Sequence, residues 1–284
     1  MCGEEVALLR LCEILAECAL DNRYYILTLL RDEPGSVADI RKALIRAGVS
    51  KSYTTVRRYM ESLKRTGLVE ERRRHFSLTN LGTYIVTCLR EMRQNVEVLN
   101  SKAGVMSPLT ISCLPPRFMH SIRVIKHAEY VQDPFSFIAE FLMHIQDAGE
   151  RICVLSDRVS PRLHELIAGR VAEGVEYIEI NRGGNAEKIG IHLAKVAESM
   201  ELTAEERRSF WERCCIRECN TVPIHILVVD RKIAGISFPC RDGRVNLNGA
   251  FVSSAGEFVE WAEEILEYYL ERSRAVSLRH VATR

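Results

Sequence analysis

The sequence predicts a two-domain chain: an α+β N-terminal domain of helices closed by a short hairpin, a long linker helix, and an α/β C-terminal domain. Three observations predict it. Helical periodicity followed by a basic hairpin fills the first third of the chain. One apolar stripe then keeps helical spacing over residues 80–100, and beyond residue 108 strand-like apolar runs alternate with helical segments. The domains fall at 1–80, 81–106 and 107–284, and 284 residues are enough for two domains of ordinary size.

In chain order, residues 6–20 carry Leu8, Leu9, Leu11, Leu15 and Cys18 at largely helical spacing. Such a helix either caps its own domain or packs on a partner. Residues 22–31 form the next helix, with Ile26, Leu27 and Leu30 inward, and Asp32-Glu33-Pro34-Gly35 stops it with turn chemistry. Ser36 is an N-cap for a helix over 37–47, and Gly48 supplies the turn that follows.

Residues 50–67, SKSYTTVRRYMESLKRTG, form the helix on which the functional reading rests. Tyr53, Val56, Met60 and Leu63 share one side, at steps of 3, 4 and 3. Lys51, Ser52, Thr54, Thr55, Arg57, Arg58 and Tyr59 then face outward. Short hydroxyls and forked cations are the groups that read base edges and phosphates in a DNA groove. The stretch LVEERRRHFSLTNLG follows as a hairpin whose tip carries Arg72, Arg73, Arg74 and His75. A helix followed by a basic hairpin is the working end of a winged helix-turn-helix. An amphipathic helix alone is more often a solvated face, so the conjunction carries the argument. Charge supports it: residues 22–90 hold 14 Lys/Arg against 6 Asp/Glu, +8 within a chain of net charge +1.

Over residues 80–100, Leu81, Tyr84, Ile85, Cys88, Leu89, Met92, Val96 and Leu99 approximate a heptad seam, which a homodimer would bury. Residues 151–156 and 175–180 read as strands flanking a helix over 161–173, an α/β unit with parallel strands that begins with a helix at residue 133. Residues 223–230 and 233–239 are two further strands, residues 254–274 a closing helix, and residues 275–284 a frayed tail.

The segment VSKSYTTVRRYMESLKRTGLVE resembles the winged-helix cores of archaeal and bacterial transcriptional regulators. The later segments ERICVLSDRVSPRLHELIAGRVAEGVEYIEI and PIHILVVDRKIAGISF resemble the phospholipase-D-like sensor domains attached to many archaeal regulators. The resemblance implies a ligand-binding or dimerisation domain. The enzymes of that fold use an H-x-K-x4-D motif; here His225 is followed by Leu227 at the lysine position, and Asp230 comes too early. The domain is therefore expected to be non-enzymatic.

Arg182, Gly183, Gly184 and Asn185 follow a strand and are the expected effector loop. Cys214, Cys215, Cys219 and Cys240 could supply a four-ligand metal site, but no C-x-x-C pair occurs in the chain, and buried thiols are the simpler reading. No metal or cofactor is expected. The partners expected are double-stranded DNA, a second copy of the chain and a small-molecule effector, without a membrane. The acidic start MCGEEV lacks the form of a signal peptide, and a cytoplasmic location is expected. The rival reading is a winged-helix protein-interaction or transcription-machinery component.

Overall fold

The computed structural model describes residues 3–20, 22–132, 141–242 and 249–276. The chain divides into two compact units, Met1–Gln94 and Asn95–Arg284.

The first unit is built from α1 (Gly3–Ala19), α2 (Arg23–Asp32), α3 (Val37–Arg46), α4 (Tyr53–Arg65), the hairpin β1 (Val69–Arg72) and β2 (His75–Leu78), and the start of α5 (Asn80–Ser101). Each of the inner helices has its own start and stop. Ser36 and Asp39 form a reciprocal capping box on α3, and the Ser52 hydroxyl accepts from the Thr55 N–H at the start of α4. After α4, Gly67 takes φ 77° and lets Leu68 N–H reach back to Leu63 O at 3.0 Å, closing the helix as a glycine C′ residue does. The core gathers Leu27, Leu44, Met60, Leu63 and Phe76, all fully buried, each aliphatic one contributing about 1.5–3 kcal/mol on leaving water. The hairpin is fastened to the helices through Gly35, which exchanges two backbone hydrogen bonds with Phe76 at 3.0 and 2.9 Å.

The second unit contains α6 (Ala103–Met106), α7 (Pro116–Met119), β3 (Glu129–Val131), α8 (residues 141–146), β4 (Arg151–Ser156), α9 (Pro161–Ala172), β5 (Glu176–Arg182), α10 (Ala186–Ser199), α11 (Ala204–Arg213), β6 (Cys214–Cys219), β7 (His225–Val229), β8 (Ile233–Ser237), β9 (Ala250–Ser253), α12 (Gly256–Arg272) and β10 (Arg274–Ala275). Among the described residues they make an eight-stranded sheet in the order β10-β6-β5-β4-β7-β8-β9-β3. Strands β4, β5 and β6 are parallel; every other pairing is antiparallel. The α/β expectation is thus met only in the β4–β6 half, and the whole is a mixed sheet. Its parallel half follows from helices returning the chain across one face, its antiparallel half from direct turns such as residues 230–232.

Alternation along the strands separates two apolar layers. Cys153, Leu155, Ile226, Val228 and Phe251 meet α12 on one face, while Ile152, Val154, Leu227, Val229 and Val252 meet α8, α9, α10 and α11 on the other. The helix expected from residue 133 is described only from residue 141, and most of the tail expected to fray lies outside the described residues; Arg274 and Ala275 instead pair with Glu218 and Arg217. Among the described residues, no helix is long and apolar enough to cross a membrane.

Candidate functional site

Two places follow from the sequence: the α4–hairpin surface in the first unit and the strand ends in the second. On α4 the buried side chains are Val56, Tyr59, Met60 and Leu63. Tyr59 therefore does not face outward: it is 2% exposed, and the Arg23 guanidinium lies over its ring at 5.2 Å. Tyr53, expected inside, is 54% exposed. The two exchange places because Ser52 caps the helix. Tyr53 becomes the first helical residue, ahead of the turn that meets the core, and the buried stripe runs i, i+3, i+4, i+7 from Val56. Tyr53 is the surface residue that the sequence reading missed; the capping signature Ser52-x-x-Thr55 could have located it.

Ser52, Thr54 and Arg58 are exposed, and Lys51, Thr55 and Arg57 are half-buried. Arg57 is engaged within the fold. It pairs with Glu61 and with Glu71 of β1 at 3.2 Å, and its guanidinium stacks over Phe76 at 5.5 Å. Lys64 meets the same Glu71 at 3.0 Å, and these cations hold the Glu71 carboxyl below its usual range. Arg57 thus braces the hairpin against α4. Among the described residues, Arg58, Arg73 and Arg74 have no acidic partner, whereas Arg72 pairs with Glu70 at 3.2 Å.

The hairpin register, Arg72 opposite His75, leaves Arg73 and Arg74 as a two-residue loop. Both have left-handed backbones, with φ of 51° and 67°. That is a type I′ turn, whose favoured residues are Asn-Gly. Arginine at both positions carries a conformational cost, and both side chains are exposed.

The helix α5 does not present its eight expected seam residues on one face. Ile85 is buried in the first unit's core, with Leu81 and Leu89 packed against it, and Leu99 packs against the core of the second unit. Tyr84, Met92 and Val96 are 67%, 52% and 49% exposed, and Cys88 is half-buried. The near-heptad spacing merged two faces: Leu81, Ile85 and Leu89 inside, Tyr84, Cys88, Met92 and Val96 outside, each set at steps of four.

In the second unit, the Arg182–Asn185 loop is already satisfied from within. Gly184 N–H and Ala186 N–H donate to Glu218 Oε1 at 2.8 and 3.2 Å, and Arg274 binds the other oxygen of that carboxylate at 2.9 Å. Asn185 Nδ2 donates to Asp157 O at 3.1 Å. An anionic effector at Gly183 and Gly184 would have to displace Glu218, so the structure does not leave this loop open as an anion site.

The cysteines are not gathered either. Cys214 packs on the α9–α11 face of the sheet and Cys219 on the α12 face, as strand alternation requires. Cys240 lies apart, its backbone bridged to Leu109. Among the described residues, no group of three or more His, Cys, Asp or Glu could hold a metal ion. Burial, and then Cys215, pushes the Cys214 thiol up to about 12, which keeps it protonated as a buried thiol.

On the same face, Glu179 is 1% exposed and accepts from Tyr177 OH, from Asn181 Nδ2 at 2.9 Å and from His164 Nε2 at 2.9 Å. His225 bonds Asp157 Oδ1 through Nε2 at 2.6 Å. Burial lowers the His225 pKa despite the Asp157 charge beside it.

Residues 134–272 match the family described as methanogenesis regulatory protein FilR1, middle domain. Among solved structures the chain is similar to TrmBL2, described as an archaeal chromatin protein, at 12% identity over 90% of this chain and 95% of that one, with a TM-score of 0.40. It is similar at 10% identity to Nuc of Salmonella typhimurium, a phospholipase D family member, over 49% of this chain and 89% of that one, with a TM-score of 0.35. NucT from Helicobacter pylori gives 10% identity over 50% of this chain and 92% of that one, with a TM-score of 0.34. These three likenesses are distant. Curated proteins give no match. The resemblance to a regulatory protein's middle domain thus covers residues 134–272.

Proposed function

We propose that this chain, which matches a regulatory protein's middle domain over residues 134–272, is a sequence-specific DNA-binding transcriptional regulator. The first unit acts as a winged helix-turn-helix: α4 enters the major groove, and the hairpin tip holds phosphate or reaches the minor groove. The observation that carries this reading is the placement of cations. Among the described residues, Arg58, Arg73 and Arg74 are exposed without acidic partners, and the last two occupy left-handed positions that arginine does not favour. Ser52, Tyr53, Thr54 and Thr55 complete the reading face; Arg57 supports it and does not read bases.

The regulator is a homodimer that sets two α4 helices about 34 Å apart on a pseudo-palindromic site. Exposed residues available for the dimer contact include Tyr84 and Met92 on α5 and Leu8, Leu9, Leu11 and Leu15 on α1. Its second unit is a non-catalytic sensor whose ligand shifts the balance between two arrangements.

Selection of bound genomic fragments by purified protein tests DNA recognition and half-site spacing together. Arg58→Ala is expected to cost about 1–3 kcal/mol on the selected site and to relax preference at one base position. Equal loss on selected and random DNA would exclude base reading by Arg58. Absence of any enriched fragment would favour the protein-docking reading of the same surface.

A further inference from the structure

The face of the second unit that carries α8 and α9 encloses a cavity of about 460 Å³, within the usual range of roughly 300–1,000 Å³ for small-molecule sites. It is separate from the Arg182–Asn185 loop, none of whose residues lines it. Strand register gives the cavity two ends. Leu155 pairs with Ile226, and His225 pairs with Ser237, so Ser156, His225 and Ser237 make one polar row across β4, β7 and β8. Two residues along, Val154, Leu227 and Gly235 make an apolar row. Gly235 offers no side chain there, while Phe141 and Ile145 of α8 and Leu163 of α9 wall the space from the other side.

The polar end is also the charged end. It is flanked by the segment 156–160, which the interior of the unit holds in place: Asn181 Nδ2 donates to Arg158 O at 2.8 Å and Asn185 Nδ2 to Asp157 O at 3.1 Å. That segment and the first turn of α9 bring two guanidinium groups, Arg158 and Arg162, to the lining. Among the described residues, the carboxylate beside them is that of Asp157, which is bonded to His225 at 2.6 Å and lies 3.9 Å from Arg158. Among the described residues, Arg162 has no acidic partner. The lining therefore has an apolar interior and an excess of positive charge at one edge.

We propose that this cavity binds a small organic monocarboxylate with an apolar tail, the carboxylate meeting Arg162 and the Ser156 hydroxyl and the tail lying over Gly235 under α8. A planar guanidinium matches a carboxylate through paired N–H donors. The tail replaces water on the apolar row, and neither end leaves a polar group unpaired. That such a ligand is the regulator's effector rests on the function proposed above; that it binds does not.

The test uses the full chain and octanoate as probe, with octanamide, 1-octanol and inorganic phosphate as comparisons, read by calorimetry. Octanoate is expected to bind one molecule per chain, and octanamide and octanol about tenfold more weakly or worse. Arg162→Gln, at an exposed position, is expected to weaken octanoate about tenfold and leave octanol unchanged. Gly235→Val, checked for retained fold by circular dichroism, is expected to abolish both. Octanol binding as tightly as octanoate, phosphate binding in its place, no octanoate binding at all, or unchanged binding to Gly235→Val would each overturn the proposal. DNA affinity with and without octanoate is read separately, so a failure of the regulatory reading leaves the binding result intact.

Discussion

Arg73 and Arg74 expose a conflict between conformation and charge that can be measured. A residue with a Cβ in the left-handed region costs roughly 1–2 kcal/mol relative to the right-handed one, and here two stand in succession at φ 51° and 67°. Arg73→Asn combined with Arg74→Gly gives the turn its preferred residues. The double variant is expected to raise the stability of the first unit by about 1–2 kcal/mol in urea denaturation. It should also weaken all DNA sequences about equally and flatten the salt dependence by roughly two phosphate contacts. Unchanged DNA binding would remove the hairpin tip from the interface. The cationic tip was legible because Arg72-Arg73-Arg74-His75 is contiguous; the left-handed turn was not, because its usual Asn-Gly signature is absent. Tyr59 was misplaced for a related reason. Periodicity fixes a face only to within one residue, and the Ser52 cap, which sets the phase, was not used to resolve Tyr53 against Tyr59.

Between elements, contact distances set what the pattern alone left open. The start of α5 passes so close to the start of the hairpin that a Cβ on Gly82 would lie 2.0 Å from Leu68 O. Thr79 anchors the same crossing, its hydroxyl donating to Gly67 O at 2.6 Å and accepting from Gly82 N–H at 3.0 Å. Because the obstacle is backbone, not a flexible side chain, Gly82→Ala must push α5 and the hairpin apart. It is expected to destabilise the first unit by about 1–3 kcal/mol, measured by thermal or urea denaturation, despite alanine's better helix propensity. A neutral or stabilising change would mean that the crossing has slack. This constraint was invisible in the sequence, where Gly82 sits in helical spacing without a turn signal. The α5 seam failed for the opposite reason: its apolar residues were correctly recognised, but their burial is divided between two cores that spacing cannot distinguish. Strand β6 was obscured by its composition, since Cys214-Cys215-Ile216-Arg217-Glu218-Cys219 alternates weakly and draws attention as a ligand set.

For the whole molecule, the apolar clusters divide as the compact units do. One cluster is confined to residues 14–89, and the other two contain residues from 98 onward only. Separate cores imply separate unfolding transitions, and Asp230 provides a way to label the second. Its carboxylate, 3% exposed in its side chain, accepts backbone N–H groups of Gly149, Glu150 and Arg151, each at 2.9 Å, and meets Lys232 at 3.3 Å. Burial opposes the charged form, but these donors outweigh it and hold the pKa at about 2, against an ordinary 3.8. The unfolded chain therefore takes up a proton first as pH falls. The stabilisation, about 2 kcal/mol, is complete above about pH 5 and is lost as pH falls to about 2. Asp230→Asn keeps the shape and removes the charge. Its expected effect is to lower the second unit's transition by at least that amount at pH 7 and leave the first unit's transition in place, whereas Gly82→Ala does the reverse. The difference between wild type and Asp230→Asn should shrink between about pH 5 and about pH 2, because the protonated aspartate then resembles the amide. A single transition shifted equally by both variants would show one cooperative unit in place of two, and a difference constant with pH would show that Asp230 acts through shape alone.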